Sequence, residues 1–136
     1  MTEPVSDRAE MLAQMAPRLD PVRYCFMVIT PETAPQALGS AIGTFREDEG
    51  VTAIVPEVLA RELGDEGPAL ARITLMVHSS LEGVGLTAAV SGALSDAGIA
   101  CNMVAAYHHD HAFVPSSEAE DALKALERLR DRFSAT

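Results

Sequence analysis

The fold is decided by a stretch in the second half of the chain, residues 72–98, which reads RITLMVHSSLEGVGLTAAVSGALSDAG. Residues 73–77 alternate apolar and polar side chains, as a strand with one buried face does. A loop with two glycines follows. Apolar residues then recur at helical spacing over residues 86–97, and Gly98 is placed to end that helix. The stretch therefore predicts a strand, a loop and a helix that packs on the strand.

The chain beyond this stretch adds a hairpin and a last helix. Residues 99–107 are mostly apolar and predict a long strand, residues 109–110 suit a tight turn, and residues 112–114 return as a short strand. Ser117 with Glu120 has the spacing of a capping box at the start of an amphipathic helix. The second half thus predicts the order strand–helix–strand–strand–helix.

The first half repeats the same plan in a weaker form. Its strands are expected at residues 24–29, 41–46 and 51–55, with a short helical turn at 35–38 and a helix at 57–63. The turn at residues 47–50 makes the last two strands a hairpin. We therefore predict an α+β fold of two ferredoxin-like (βαββα) halves, with antiparallel sheets and with the helices packed on one face.

Two complete units of this kind need eight strands, and the sequence predicts six. Each half lacks its fourth strand, unless the strand at residues 72–78 closes the first half as well as opening the second. Open sheet edges must be paired or blunted. We expect either that the halves share a sheet or that two chains complete each other.

The expected boundaries follow from the breaks in these patterns. Residues 1–21 form an N-terminal helical cap, residues 22–70 the first half and residues 71–136 the second half. Asp7 and Glu10 have capping-box spacing at the start of the cap helix, and prolines after it end the helix.

Composition and charge exclude several classes of function. Twenty acidic residues against ten Lys and Arg give a formal net charge of −10. Without a basic cluster, binding to nucleic acid or to a membrane surface is disfavoured. No apolar run is long enough to span a bilayer, and no secretory signal is predicted. Cys25 and Cys101 are far apart and are typical of buried thiols in a reducing cytoplasm.

Two stretches of the second half carry a resemblance to a family. Residues 73–87 read ITLMVHSSLEGVGLT, and residues 98–115 read GIACNMVAAYHHDHAFVP. They resemble the ACT domain, in the form found in the regulatory part of aspartate kinases and in CASTOR-type arginine sensors. In the first half, TFREDEG at residues 44–50 resembles a small bacterial group of stand-alone tandem ACT-like proteins of unknown role.

The resemblance implies a binding site for a small ligand. ACT domains mostly bind free amino acids at interfaces between paired units, through the strand–helix loop and the start of the next strand. Asn102 matches an Asn that contacts ligand in the aspartate-kinase form. The ligand-binding residues implied here are Ser79, Ser80, Leu81, Glu82, Gly83, Val84, Gly85, Leu86, Asn102 and Met103.

Elementary chemistry supports the same loop. Backbone amides just before a helix are unpaired and lie at the positive end of the helix dipole, so the amides of residues 83–85 suit a carboxylate. Glu82 can neutralise an ammonium group, and Asn102 can both donate and accept. The structural alternative is that the glycines only shape the loop, that Ser79 or Ser80 caps the helix, and that Asn102 bonds a neighbouring loop.

Other chemistry is less well supported by the residues. Residues 108–111, His-His-Asp-His, are of the types that bind Zn²⁺, but neighbouring strand residues point to opposite faces. A solvated turn or a dimer contact fits them better. Arg72 can pair a ligand carboxylate or form a surface salt bridge. No nucleophile arrangement is present, and Cys101 lies among apolar residues.

The sequence therefore predicts a non-catalytic, cytoplasmic regulatory protein of the ACT type. It binds a small molecule, most simply an amino acid, needs no cofactor or metal, and self-associates as a homodimer or a higher homo-oligomer. One alternative is a protein–protein interaction module with a vestigial ligand site. A further alternative is a metal-dependent enzyme that uses His78, His108, Asp110 and His111.

Overall fold

The computed structural model of the protein describes residues 7–77 and 84–134. In chain order its elements are α1 (Arg8–Gln14), β1 (Pro17–Val28), α2 (Ala34–Ser40), β2 (Gly43–Glu47), β3 (Gly50–Pro56), α3 (Glu57–Glu62), β4 (Leu70–Leu75), α4 (Leu86–Asp96), β5 (Asn102–Ala105), β6 (Asp110–Pro115) and α5 (Ala119–Ser134). They divide between two units. The outer unit contains residues 7–20 and the described residues from 71 onward, and the inserted unit contains residues 21–70.

The sheet of the outer unit takes one strand from the N-terminal segment. Its strands lie in the order β1-β4-β6-β5. β4, β5 and β6 come from the second half of the chain, and residues 17–20 at the start of β1 add the fourth strand beside β4. The amide of Met76 donates to the carbonyl of Ala16 at 2.9 Å, at the end of this pairing.

The core of the outer unit explains why these elements stay together. Strand β4 buries Ala71, Ile73 and Leu75, and these residues pack with apolar side chains of α1, α4, α5 and β6. Helix α1 contributes Met11 and Leu12, and its C-cap is Met15; all three are at most 1% exposed. The amide of Glu10 donates to Asp7 Oδ1 at 2.9 Å, so the predicted N-cap of α1 is confirmed.

The inserted unit has a smaller core of its own. Its strands lie in the order β2-β3-β1, and both pairs are antiparallel. Glu47 pairs with Gly50, so residues 48–49 form the predicted hairpin turn. The core is formed by Cys25, Met27, Ala37, Ala53, Val55 and Ala60, with α2 and α3 each supplying an alanine.

The predicted fold class is confirmed: the protein is α+β, with two ferredoxin-like units, and its described residues form six strands. The N-terminal segment, expected to form only a helical cap over residues 1–21, also contributes to the core and to the sheet of the outer unit. From residue 7 onward it belongs to the outer unit, because α1 fills that unit's core and residues 17–20 extend its sheet.

Four predicted features differ from the structure. The capping box expected at Ser117 and Glu120 does not form, because residues Ser116–Glu118 are a 3-10 turn without a side-chain cap bond and α5 begins at Ala119. The strand expected at residues 24–29 begins at Pro17 instead. The strand expected at residues 99–107 is only Asn102–Ala105, because the amides of Gly98 and Ile99 still bond to the last turn of α4. The hairpin turn expected at residues 109–110 lies at Tyr107 and His108, since the amide of Ala106 donates to the carbonyl of His109 at 3.0 Å.

Candidate ligand site at the start of helix α4

The predicted ligand-binding loop is only partly described. Ser79, Ser80, Leu81, Glu82 and Gly83 lie outside the described residues. The structure describes the other predicted residues, Val84, Gly85, Leu86, Asn102 and Met103. Val84 is exposed at the approach to α4, and the side chain of Leu86 is buried in the core of the outer unit. Leu86 can therefore offer a ligand its backbone amide and not its side chain.

Helix α4 begins without a capping side chain. Its N-cap is Gly85, whose φ of 103° lies in the left-handed region that favours glycine. The first bond of the helix runs from the amide of Ala89 to the carbonyl of Gly85. The amides ahead of Ala89 have no partner within the helix, and the first turn contains no acidic residue. These features favour an anion at the start of α4.

A second source of positive potential lies at the same point. The stem of Arg8 packs directly against Gly85: a Cβ added to Gly85 would lie 2.6 Å from Arg8 Cδ. The guanidinium carbon of Arg8 is 5.4 Å from the centre of the Phe133 ring. Arg8 forms no ion pair with a carboxylate of the described residues. A cation and a helix N-terminus therefore meet at one place.

Arg8 is a candidate site residue that the sequence analysis missed. It lies at the opposite end of the chain from Gly85, and no local pattern links the two. The only sequence signal is the capping-box start of α1, which fixes Arg8 in the first turn of a short helix. The contact follows from the packing of α1 in the outer unit. Arg8 and Phe133 also line a groove of about 370 Å³ along α4 and α5.

The two predicted residues of β5 point to opposite faces of the sheet. Met103 pairs with Ala112 and packs against the core, on the face that the helices cover. Asn102 pairs with Phe113, is exposed, and lies on the other face. The structure thus brings Gly85 and the amide of Leu86 together with Arg8, and it does not add the side chain of Met103 to them.

Other residues of interest are placed as follows. Arg72 forms an ion pair with Asp20, with Nη2 at 2.7 Å from Oδ2. Among the described residues, no group of three His, Cys, Asp or Glu side chains is arranged to hold a metal ion, and no polar or charged residue is buried. His78, the remaining member of the metal alternative, lies outside those residues.

The two cysteines are free thiols. Cys25 is fully buried in the inserted unit, as predicted, whereas Cys101 is only half-buried. Burial raises the pKa of both thiols above the ordinary value, which leaves them protonated and poor nucleophiles at neutral pH.

Together these features define two ferredoxin-like units, one of which carries a candidate anion site at a helix start. Models of the ACT domain match residues 4–71 and residues 72–128. The chain belongs to the ACT domain family.

Solved structures agree with this assignment. A Vibrio cholerae protein of unknown function, described as a possible transport protein, is 36% identical, with a TM-score of 0.78 over 90% of this chain and 94% of its own. The ligand-free regulatory subunit of Thermus thermophilus aspartate kinase is 14% identical, with a TM-score of 0.62 over 85% of this chain and 96% of its own. An Agrobacterium tumefaciens protein is 16% identical, with a TM-score of 0.64 over 85% of this chain and 89% of its own. At these low identities the last two show the fold alone. No curated protein sequence matches the chain significantly.

Proposed function

We propose that the protein is a non-catalytic regulatory protein that binds a free amino acid and acts through self-association. The observation that carries the proposal is the contact between Arg8 and Gly85 at the start of α4. Membership of the ACT family supports the regulatory role. The likeness to aspartate-kinase regulatory subunits agrees with it.

The proposed pose places the α-carboxylate at the start of α4. The backbone amides from Leu86 onward and the guanidinium of Arg8 both favour a negative charge there. Residues 79–83 would complete the pocket, with Glu82 on the ammonium group. Because Asn102 lies on the sheet face opposite the helices, it would contact the ligand only from a second, self-associated copy, in the role that the family resemblance gives it.

Self-association would convert binding into a signal. A ligand that binds one arrangement of subunits more tightly shifts the population toward that arrangement. The sheet of the inserted unit offers an apolar row that suits a second copy. Val28 and Phe45 lie opposite the same residue, Thr52, and are 64% and 71% exposed. Burying such side chains between two copies is favourable.

The proposed location is the cytoplasm, where two free thiols persist in the reduced form. Within the part of the chain that the structure describes, no helix is long and apolar enough to cross a membrane. The rival proposal is an interaction module whose ligand site is vestigial. A metal-dependent enzyme is the weaker rival.

The experiment is a thermal-shift screen of the full chain against the twenty amino acids, with and without EDTA. The proposal expects one chemical class of amino acid to raise the melting temperature. Arg8→Gln and Asn102→Ala should each weaken that effect, whereas Arg46→Gln, on strand β2, is the control with the same loss of charge as Arg8→Gln. A flat screen favours the interaction module, and loss of stability with EDTA favours the metalloprotein.

A further inference from the structure

A second cluster of chemistry-bearing residues lies on the face of the outer unit's sheet opposite the helices. Along β4, Ala71, Ile73 and Leu75 face the core, so Arg72 and Thr74 face the other way. The residues that line a groove of about 340 Å³ on that face are Arg18, Asp20, Arg72, Thr74, Met76, His109 and His111. They come from three neighbouring strands and their ends. The start of α4 is not part of this groove.

The groove holds an excess of positive charge on an acidic protein. Arg72 is fixed by Asp20, whose Oδ2 accepts from Nη2 at 2.7 Å and from Nε at 3.2 Å. The pair is partly buried, with side-chain exposures of 25% and 16%. Arg18 forms no ion pair with a carboxylate of the described residues. Among the lining residues, two arginines face one aspartate, so these side chains carry one net positive charge with both histidines neutral. The carboxylate of Asp110, outside the lining, also acts on His111.

The histidines supply hydrogen-bonding atoms that are already positioned. Nδ1 of His111 lies 3.0 Å from the hydroxyl of Thr74, which fixes the ring. Nδ1 of His109 is buried and has no hydrogen-bond partner within residues 7–77 and 84–134. A buried polar atom without a partner costs free energy, so a ligand atom that bonds to it would contribute to binding.

We propose that this groove binds the anionic group, a carboxylate or a phosphate, of a small metabolite. Arg18 supplies the net positive charge of the lining residues, Arg72 is held in place by Asp20, and His109 and His111 bond the remaining oxygens. The site is separate from the amino-acid site at the start of α4 and does not depend on it. Arginine side chains match the planar or tetrahedral oxygens of these groups.

The titration of His111 gives the site a pH dependence. Burial lowers the pKa of His111, and the charges of Arg72 and His109 lower it further, while Asp110 acts in the opposite direction. From β1, Arg18 and Asp20 line the same groove. The residue opposite on β5 is Val104, which carries no charge. A bound anion favours the protonated ring, so binding should tighten as the pH falls.

The test is calorimetric titration of the full chain with phosphate and, in a second arm, with succinate, in chloride buffer of matched ionic strength at about pH 6. The two arms distinguish a phosphate from a carboxylate as the group that is bound. Arg18→Gln should weaken binding about tenfold, the value of one charge-assisted contact. Arg46→Gln removes the same charge from the inserted unit and should change the affinity by less than about twofold.

Two further variants test whether the charge of the groove controls anion affinity and whether the anion binds in the groove or at the start of α4. Asp20→Asn should tighten anion binding, because it removes the negative charge of the groove. Arg8→Gln should leave it unchanged, because Arg8 lies at the other site. Failure of both anions to bind overturns the proposal. Equal losses in Arg18→Gln and Arg46→Gln overturn it, as does a loss confined to Arg8→Gln, which would place the anion at the start of α4.

Discussion

Gly85 and Arg8 are in direct contact, and a side chain at residue 85 would force the side chain of Arg8 to shift. A Cβ there would lie 2.6 Å from Cδ and 3.0 Å from Cγ of Arg8. The same glycine has a φ of 103°. One residue thus serves both the backbone turn into α4 and the position of the cation beside it.

Gly85→Ala is therefore expected to destabilise the protein for two reasons. The left-handed backbone should cost about 1–2 kcal/mol in the free energy of unfolding. Displacement of the exposed Arg8 side chain from Gly85 and Phe133 should add a smaller loss. Gly98→Ala is the matched control, because Gly98 also has a positive φ, 75°, and nothing lies within 4 Å of its added Cβ. Urea unfolding of both variants measures these costs: Gly98→Ala gives the backbone cost alone, and Gly85→Ala gives the backbone cost together with the displacement of Arg8.

The contact itself is isolated by repeating both substitutions in an Arg8→Ala background. The cost of Gly85→Ala should fall there by about 0.5 kcal/mol or more, the size typical of residues in contact. The cost of Gly98→Ala should not change. An unchanged cost of Gly85→Ala would mean that Arg8 moves aside freely, and the proposed carboxylate site would lose its fixed cation.

Much of the fold could be predicted because its signals are local. The alternation of residues 73–77 and the helical stripe of residues 86–97 reflect the faces that β4 and α4 bury. The hairpin at residues 47–50 and the N-cap at Asp7 follow from residues next to one another in the chain. Patterns of this kind need no knowledge of the rest of the molecule.

What escaped prediction depends on contacts between distant parts of the chain. Pro17 and Pro21 predict the end of a helix. Strand β1 nevertheless includes both prolines, because it lies beside β4 in the sheet. The same pairing brings Arg18 and Asp20 of β1 into one groove with His111 of β6. Likewise, Arg8 meets Gly85 only because α1 is buried in the outer unit.

Asp7→Ala is expected to lower the free energy of unfolding by about 1 kcal/mol, the usual value of an N-cap. The physical reason is the bond from the amide of Glu10 to Asp7 Oδ1. Helix α1 places Met11, Leu12 and Met15 in the outer core, so fraying of its first turn weakens that packing. Chemical unfolding measures the loss. Asp48→Ala removes an exposed carboxylate from the hairpin turn and should have little effect; equal losses would refute the role of the cap.

Asp20→Asn should destabilise the outer unit by about 1–2 kcal/mol, because it leaves the charge of a partly buried arginine uncompensated. The two bonds from Arg72 to Asp20 Oδ2 are the contacts at stake. Asp131→Asn is the control: its pair with Arg130 lies on α5 and is largely exposed, so its loss should be close to zero. Thermal unfolding at low and high salt measures both losses. High salt should leave most of the Asp20→Asn loss in place, because a partly buried pair is screened less than an exposed one.

His111 should make stability depend on pH. Burial, followed by Arg72 and His109, lowers its pKa below the ordinary value of 6.5. The unfolded chain therefore binds a proton at this residue more readily than the folded chain does. The contribution of His111 to stability is fully present above the unfolded value, and it is lost as the pH falls from 6.5 through the lower folded value.

Urea unfolding of the wild type and of His111→Gln across this range measures the effect. The wild type should lose stability on acidification, and the variant should lose less, because Gln keeps a polar group near Thr74 but does not titrate. His108→Gln, at an exposed turn position, should follow the wild type. If His111→Gln and the wild type have parallel stability profiles, His111 is not held neutral by its surroundings. Added phosphate offers an independent check, since an anion in the groove should reduce the loss of stability at low pH in the wild type and less so in Arg18→Gln.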